Sequence, residues 1–254
     1  MQKEASLYFR NQFRQARALV LRDAEAFDEI IFVVERMGMF LKGKVDKLKG
    51  YRTNIEKEAK RSPLACEVPG ECPQLHIPFP ELFDLVADGR NWAMHQGAVA
   101  RHLANHATKL AIVLEDALMS GYDKVRDFMV QNPVCAEMWQ PLSFIRQTML
   151  ENSFSFLPVN FTPEAAPSWK LVSDVEVAHY LRAGTPGDRR RYLAETLRQA
   201  VRPDGIQLKD PKPCGPGESA RTVLEGCKEL PILVTDTGYG TGELLGIVMA
   251  FDLL

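Results

Sequence analysis

Apolar residues in the first half of the chain recur at spacings of mostly three, four and seven, which is typical of amphipathic helices. A first helix is predicted over residues 5–22. A second run, over residues 27–60, carries one apolar stripe and predicts one long helix. After the proline-rich segment 62–80, a short helix is predicted over residues 81–87, and Asp88-Gly89 is expected to end it.

A long Pro-free amphipathic run follows and predicts a last long helix from Arg90 to about Met119. Its apolar stripe is expected to pack on the second helix. The stripe consists of Trp92, Val99, Leu103, Ala107, Leu110, Leu114 and Leu118. Three or four such helices predict a small helical bundle over residues 1–120.

Beyond Ser120-Gly121 short apolar runs alternate with helical patterns. Strands are predicted at residues 154–159, 169–172, 232–235 and 244–251, and helices at 141–150, 174–181, 188–201 and 219–227. This alternation predicts an α/β or α+β second domain over residues 121–254. The fold class is therefore α plus α/β, with a helical bundle followed by short strands and helices.

Composition describes an ordinary globular chain of 254 residues, with 46% hydrophobic and 25% charged residues. A net charge of -2 gives no global reason to bind nucleic acid, so any such contact must be local. No apolar run is long enough to cross a bilayer, and the charged N-terminus lacks a signal core. Five cysteines, an odd number, favour a reducing compartment and predict a cytoplasmic protein.

Arg90, Asn91 and His95 place a guanidinium, an amide and an imidazole within six residues. Such groups can hold a phosphate and move a proton at neutral pH. On one helix Asn91 and His95 share a face, whereas Arg90 lies roughly 140° from His95 at about 100° per residue. The three therefore converge only if Arg90 reaches back or a second copy supplies the missing side.

This motif resembles the signature of the HEPN superfamily, an Arg, then usually a polar residue such as Asn, then a His a few residues later. The resemblance implies a helical bundle that dimerises to build one metal-independent ribonuclease site. In that mechanism a ribose 2′-hydroxyl attacks the adjacent phosphate and His95 shuttles the proton. Arg90 stabilises the charge that develops on phosphorus, and Asn91 orients the phosphate or the imidazole.

Two stretches of the second half resemble CBS domains. Residues 230–236 and 246–254 are similar to the second half of that domain. Residues 156–159 and 169–174 are similar to a first copy, interrupted by an insertion. The resemblance implies a tandem pair, with copies at about 125–185 and 205–254. Such a pair is typical of sensors of adenosine nucleotides such as ATP, ADP, AMP or a cyclic adenylate.

The nucleotide-binding residues implied by this resemblance are unevenly matched. In copy two Asp252 stands at the position that grips ribose hydroxyls, but Met249 replaces the hydroxyl residue that meets a phosphate. In copy one Ser173 is present, Asp174 follows it, and Glu176 occupies the ribose position. A carboxylate such as Asp252 can accept from both ribose hydroxyls. Ser173 is predicted to cap the following helix, whose N-terminus favours an anion.

A metal-dependent hydrolase is a weaker alternative, built on three histidines of the last long helix. His102 and His106 lie on nearly the same predicted face as His95, and histidines four residues apart can share an ion. No carboxylate at the spacing of zinc proteases accompanies them. Sensitivity to chelators would identify this alternative.

Two other clusters have a structural and a functional interpretation. Cys66, Cys72 and His76 lack a fourth ligand and the usual zinc spacing, so two free thiols are preferred to a metal site. Arg189-Arg190-Arg191, with Arg182 and Arg198 nearby, can meet phosphates or RNA, but the solvated face of a helix is preferred.

The preferred hypothesis is a two-domain cytosolic protein with a HEPN-like ribonuclease and a CBS pair that regulates it through an adenosine nucleotide. The resemblance implies a toxin or antiviral effector that acts as a homodimer on RNA, has an antitoxin partner and needs no membrane. The alternative is a non-enzymatic nucleotide sensor whose helical domain serves dimerisation and partner binding.

Overall fold

The computed structural model describes residues 1–93, 97–161, 168–227 and 229–253, of which 91–93 and 97–100 are described by their backbone alone. The chain divides into two compact units, Met1–Tyr122 and Asp123–Leu254. The division falls two residues beyond the boundary at residue 120 that the sequence suggests. Among the described residues, no helix combines the length and the hydrophobicity needed to span a membrane.

The N-terminal unit is helical over its described residues, and its core lies around one long helix. Its helices are α1 (Lys3–Arg22), α2 (Phe27–Lys42), α3 (Arg52–Ala59), α4 (Glu67–Glu71), α5 (Phe79–Ala93) and α6 (Gly97–Met119). Helix α6 packs against α1, α2 and α5. Leu103, Leu110, Leu114 and Leu118 of the predicted stripe are buried, so the predicted apolar face of α6 is confirmed for these residues.

Helix α1 confirms the first predicted helix, whereas the second predicted helix is wrong beyond Lys42. Helix α2 ends there because Gly43 adopts a left-handed conformation, with φ of 72°. Its backbone N–H donates to the carbonyl of Met39 at 2.8 Å and closes the last turn. The chain then continues through a 3₁₀ turn, Leu48–Tyr51, into the separate helix α3.

The predicted helix break at Asp88-Gly89 is also wrong. Helix α5 runs through Gly89 to Ala93, so Arg90 and Asn91 lie in its last turn rather than at the start of the next helix. A Cβ atom at Gly89 would lie 2.8 Å from Cδ1 of Leu103 on α6. Glycine therefore allows the two helices to approach closely here, and it does not mark a turn.

The C-terminal unit mixes short strands and helices. Its strands are β1 (Val130–Gln131), β2 (Phe156–Phe161), β3 (Ser168–Ser173), β4 (Pro213–Cys214), β5 (Ile232–Thr235) and β6 (Leu244–Val248). Its helices are α7 (Val125–Phe128), α8 (Leu142–Asn152), α9 (Asp174–Arg182), α10 (Pro186–Ala194), α11 (Leu197–Ala200) and α12 (Ala220–Glu225). The mixed fold confirms the predicted alternation of strands and helices.

The strands form two sheets among the described residues. One has the order β1-β6-β5-β4, and the other is the antiparallel pair β2-β3. Strand β1 pairs antiparallel with β6, with Val130 opposite Ile247. The single helix predicted over residues 188–201 is wrong, because Thr196 forms its own capping box with Gln199 and starts α11 separately from α10.

Gly38 in α2 tests how tightly the N-terminal unit is packed. A Cβ atom there would lie 2.5 Å from Cβ of Tyr51. Tyr51 is buried, and its hydroxyl accepts from the backbone N–H of Asp46. We expect Gly38→Ala to lower the free energy of unfolding, because overpacking of about 1–3 kcal/mol exceeds a helix-propensity gain of about 1 kcal/mol.

The matched control is Gly70→Ala in α4, where no atom lies within 4 Å of the added Cβ. Because this substitution brings only the propensity gain, it should leave stability unchanged or raised by up to about 1 kcal/mol. Urea denaturation followed by circular dichroism measures both variants. If Gly38→Ala is as stable as Gly70→Ala, the close contact with Tyr51 is not a constraint.

Candidate functional site

A cavity of about 370 Å³ in the C-terminal unit has Asp252 in its wall. Residues from the β1 segment, the start of β2 and the end of β6 line it. They are Val130, Asn132, Pro133, Val134, Ser153, Phe154, Ser155, Phe156, Pro158, Pro231, Ile247, Met249 and Asp252. Its volume lies within the range of small-molecule sites, and its lining is mostly apolar.

The carboxylate of Asp252 has a fixed orientation. Its Oδ2 atom accepts from the backbone N–H of Met249 at 2.8 Å, and its own N–H donates to the Met249 carbonyl at 3.0 Å. Both bonds join Met249, the residue after β6, to the 3₁₀ turn Ala250–Leu253. Met249, the residue that replaces the expected hydroxyl, therefore holds the Asp252 carboxylate through its backbone.

Two residues in the left-handed conformation, Asn132 and Ser153, also line the cavity. Asn132 has φ of 50° directly after β1, and Ser153 has φ of 56° at the C-terminus of α8. The N–H of Phe154 donates to the carbonyl of Met149 at 2.9 Å, which closes α8. Positive φ angles turn the chain sharply, so short segments present Pro133 and Phe154 to the same cavity.

The apolar part of the cavity contains side chains that folding leaves partly in water. Val134 is 46% exposed, Met249 44% and Phe154 37%. Exposed apolar side chains that converge on one concave surface indicate a binding site more than scattered ones do. An apolar wall beside an oriented carboxylate can hold a flat ring by packing and a vicinal diol by hydrogen bonds.

The predicted copy-one residues do not join Asp252 in this cavity. Ser173 is buried, and its hydroxyl accepts from the N–H of Glu176 at 3.3 Å, which confirms the predicted cap of α9. Oδ1 of Asp174 accepts from the N–H of Val175 at 2.7 Å. Oε2 of Glu176 accepts from the N–H of Gln207 at 3.2 Å. The Ser173 and Glu176 contacts therefore cap α9 and fasten the segment after α11, rather than line the cavity of Asp252.

The sequence analysis missed the residues around Asn132 and Ser153. Asn132-Pro133 is a turn-forming dipeptide, and this signal was present in the sequence. Ser153 gave no comparable signal, since serine is not a residue that favours positive φ. Their contribution is a backbone conformation, which side-chain chemistry does not reveal.

In the N-terminal unit Arg90 is held by a residue that the sequence analysis did not consider. Its Nη1 atom lies 2.5 Å from Oε1 of Glu35 on α2. The Arg90 side chain is 37% exposed and that of Glu35 is 27% exposed. His95 and the side chain of Asn91 lie outside the described residues, so the structure places only Arg90 of the three predicted catalytic groups.

His102 and His106 lie on successive turns of α6, with ring centroids 4.7 Å apart. Burial lowers the pKa of His106, and the neighbouring His102 and Lys109 lower it further. The third histidine of the metal alternative, His95, lies outside the described residues. Across the part of the chain that the structure describes, no three His, Cys, Asp or Glu side chains are grouped so that they could hold a metal ion.

The comparisons with known proteins give structural neighbours only. No protein-family model matches the sequence. No curated protein matches it either. Similar solved structures include a CBS-domain protein of Bacillus anthracis, which is 17% identical with a TM-score of 0.39 and covers 51% of this chain and 88% of its own.

Two further neighbours are also CBS proteins. ATU1752 of Agrobacterium tumefaciens is 12% identical, with a TM-score of 0.37, over 52% of this chain and 90% of its own. CBSX2 of Arabidopsis thaliana, solved in complex with AMP, is 16% identical, with a TM-score of 0.36, over 52% and 93%. Similarity at these TM-scores assigns no family, so the function proposed below rests on residues of this chain.

The cysteines of the two units differ in exposure, and this gives a test of the cysteine–histidine cluster. Cys66 and Cys72 are free and exposed. Cys214 is buried, and burial raises its pKa to about 12, with Glu218 adding to the shift. Since the thiolate is the nucleophile, we expect iodoacetamide at about pH 8 to label Cys66 and Cys72 but not Cys214 in the native protein.

Mass spectrometry of the labelled peptides measures the rates, and a sample unfolded in guanidinium is the control in which all three cysteines react. EDTA should not change the rates of Cys66 and Cys72. If EDTA accelerates them, a bound metal protects the thiols, and the free-thiol interpretation is wrong.

Proposed function

We propose that the C-terminal unit binds an adenosine nucleotide in the cavity around Asp252. The carboxylate that Met249 orients at the wall of an apolar cavity is the observation that supports this most directly. One oxygen of the carboxylate accepts from Met249. Carboxylates are acceptor-only groups of the kind that pairs with the two hydroxyls of a ribose. The adenine ring packs against partly exposed apolar side chains such as Val134 and Phe154.

The resemblance to CBS domains determines the class of ligand in this proposal, and the cavity determines where it binds. With Met249 in place of a hydroxyl residue, the lining contains no Arg or Lys, and its side-chain donors to a phosphate are the neutral groups of Asn132, Ser153 and Ser155. The ribose and the base therefore supply most of the binding energy. AMP, ADP, ATP and cyclic adenylates share these two parts, so the cavity is expected to accept several of them.

We further propose that the N-terminal unit is a metal-independent endoribonuclease that uses Arg90, Asn91 and His95. The motif supports this, and so does the position of Arg90, whose side chain is over one-third exposed at the end of α5. Nη1 of Arg90 donates to Oε1 of Glu35. A guanidinium has five N–H donors, so Arg90 can keep this partner and still contact a phosphate.

In this mechanism the ribose 2′-hydroxyl attacks the adjacent phosphorus and the 5′-oxygen leaves. His95 takes the proton from the 2′-hydroxyl and passes it to the leaving 5′-oxygen. Arg90 stabilises the charge on the non-bridging oxygens, while Glu35 holds its side chain in place. The products are a 2′,3′-cyclic phosphate and a free 5′-hydroxyl. Asn91 orients the phosphate or the imidazole.

A homodimer completes this proposal, since the HEPN motif implies a site shared by two copies. The nucleotide bound in the C-terminal unit then regulates cleavage, and an antitoxin partner restrains a toxin or antiviral effector of this kind. The competing proposal keeps the nucleotide sensor and gives the helical unit a role in dimerisation and partner binding alone.

The nucleotide proposal predicts that Asp252→Asn weakens adenosine-nucleotide binding. Asparagine keeps an oxygen for the N–H of Met249, so the turn is preserved while the charge is lost. The loss should be on the order of 1.5–3 kcal/mol, the usual range for hydrogen bonds to a charged group. Isothermal titration calorimetry with AMP and ATP measures it.

Asp204→Asn is the matched control, because Asp204 is exposed in the same unit and does not line the cavity. It should leave the affinity unchanged. Equal affinities for wild type and Asp252→Asn would place the nucleotide elsewhere or leave the unit without one.

The ribonuclease proposal predicts cleavage of single-stranded RNA in excess EDTA, with 2′,3′-cyclic phosphate ends. DNA should be inert because it lacks the 2′-hydroxyl. His95→Ala should lower the rate by about 10²–10⁴, the range for a lost general acid–base group. Arg90→Lys should also be impaired, because the ammonium group of lysine cannot form the two parallel hydrogen bonds that a planar guanidinium makes to a phosphate. Gel electrophoresis and end-group analysis measure these outcomes.

The control is His76→Ala, which removes an exposed imidazole from another part of the unit and should leave the rate unchanged. Cleavage that EDTA abolishes would favour the metal alternative. A wild-type protein that leaves a broad RNA pool intact, with and without adenosine nucleotides, would favour the non-enzymatic sensor.

A further inference from the structure

A second cavity of the C-terminal unit, of about 480 Å³, lies between helices α8, α9 and α10. We call it the arginine cavity. Three arginines, one from each of these helices, line it together with mostly apolar side chains. Besides the arginines, its lining includes Met149, Leu150, Asp174 and Leu181.

The charges around the arginine cavity are not balanced. Arg146, Arg182 and Arg189 face one carboxylate, that of Asp174, and Oδ1 of this carboxylate already accepts from a backbone N–H. Within the described ranges none of the three arginines forms an ion pair. Arg191 of the same helix as Arg189 differs, since it pairs with Asp188 and Glu195.

Helical spacing brings the charged and the apolar groups together. Arg146 precedes Met149 and Leu150 by three and four residues, so the three share a face of α8. Met149 and Leu181 are buried and form the floor, while Leu150 is 62% exposed at the rim. Folding therefore leaves both apolar surface and unpaired guanidinium groups facing one cavity.

We propose that the arginine cavity binds an amphipathic anion, with its apolar body on the floor and its carboxylate or phosphate head group on the arginines. A guanidinium fork matches the oxygens of either head group in two parallel hydrogen bonds. The apolar floor adds binding energy in proportion to the ligand surface that it removes from water. Neither a neutral lipid nor a bare anion uses both parts of the site.

The arginine cavity is separate from the cavity of Asp252, since the two share no lining residue. They are neighbours along the chain at the C-terminus of α8, where Met149 lines one cavity and Ser153 the other. The proposal therefore does not depend on nucleotide binding. Asp252→Asn should leave the affinity for the amphipathic anion unchanged.

The test is calorimetric titration of the full chain with decanoate, decyl phosphate, 1-decanol and inorganic phosphate. Decanoate and decyl phosphate are kept below their critical micelle concentrations, and decanol below its solubility. Binding of decanoate or decyl phosphate, with clearly weaker binding of decanol and phosphate, supports the site. The tighter of the two amphiphiles identifies the head group. Arg146→Gln and Arg189→Gln should each weaken that ligand about 10- to 150-fold, as expected for a lost charged hydrogen bond.

Arg190→Gln is the matched control, because Arg190 lies beside Arg189 and does not line the cavity. It should bind like wild type, and circular dichroism verifies that all variants are folded. Decanol binding as tightly as decanoate, or equal losses for Arg190→Gln and Arg189→Gln, would overturn the proposal. So would the absence of binding of both decanoate and decyl phosphate. A dimer that Leu150→Asp dissociates would then identify this face as an interface between copies.

Discussion

The packing of α5 on α6 brings the two helices close together at Gly89, one residue before the candidate catalytic arginine. Helix α6 is the element against which α1, α2 and α5 pack. Burial of Leu110 and Leu114 on α6 contributes about 1.5–3 kcal/mol each to this assembly. A Cβ atom at residue 89 would require the Cδ1 methyl of Leu103 to shift, so glycine gives this crossing its close fit. Arg90, the next residue of α5, contacts Glu35 on α2.

In the C-terminal unit, the pairing of strands that are distant in sequence determines which residues meet in the cavity of Asp252. Strand β1 lies in the segment expected to form a first copy and β6 in the segment expected to form a second, yet the two strands pair directly. The cavity of Asp252 is therefore built from both segments, with Asn132 from the first and Met249 from the second. The sequence analysis gave each copy its own set of ligand residues, because local motifs do not report which distant strand will be a neighbour.

Elements that depend on local pattern alone could be predicted from the sequence, whereas those that depend on a distant contact could not. Helix α1 and strand β5 have one uninterrupted pattern, so their positions were predictable. Gly43 and Gly89 look alike in the sequence, but Gly43 ends a helix in a left-handed conformation and Gly89 lies within one. Gly89 packs close to Leu103, a residue 14 positions further along the chain. The local sequence around a glycine does not show such a contact. Asp252 was found through its motif, whereas Ser153 acts through backbone geometry.

The two cavities of the C-terminal unit are joined by a short stretch of backbone. The end of α8 lines the arginine cavity with Met149, and the residues after it line the cavity of Asp252. The N–H of Asp174, at the edge of the first cavity, donates to the carbonyl of Ser155 in the wall of the second at 2.9 Å. A ligand that displaces α8 must therefore alter both walls. If one ligand changes the affinity for the other by some factor, thermodynamic linkage requires that the second ligand change the affinity for the first by the same factor.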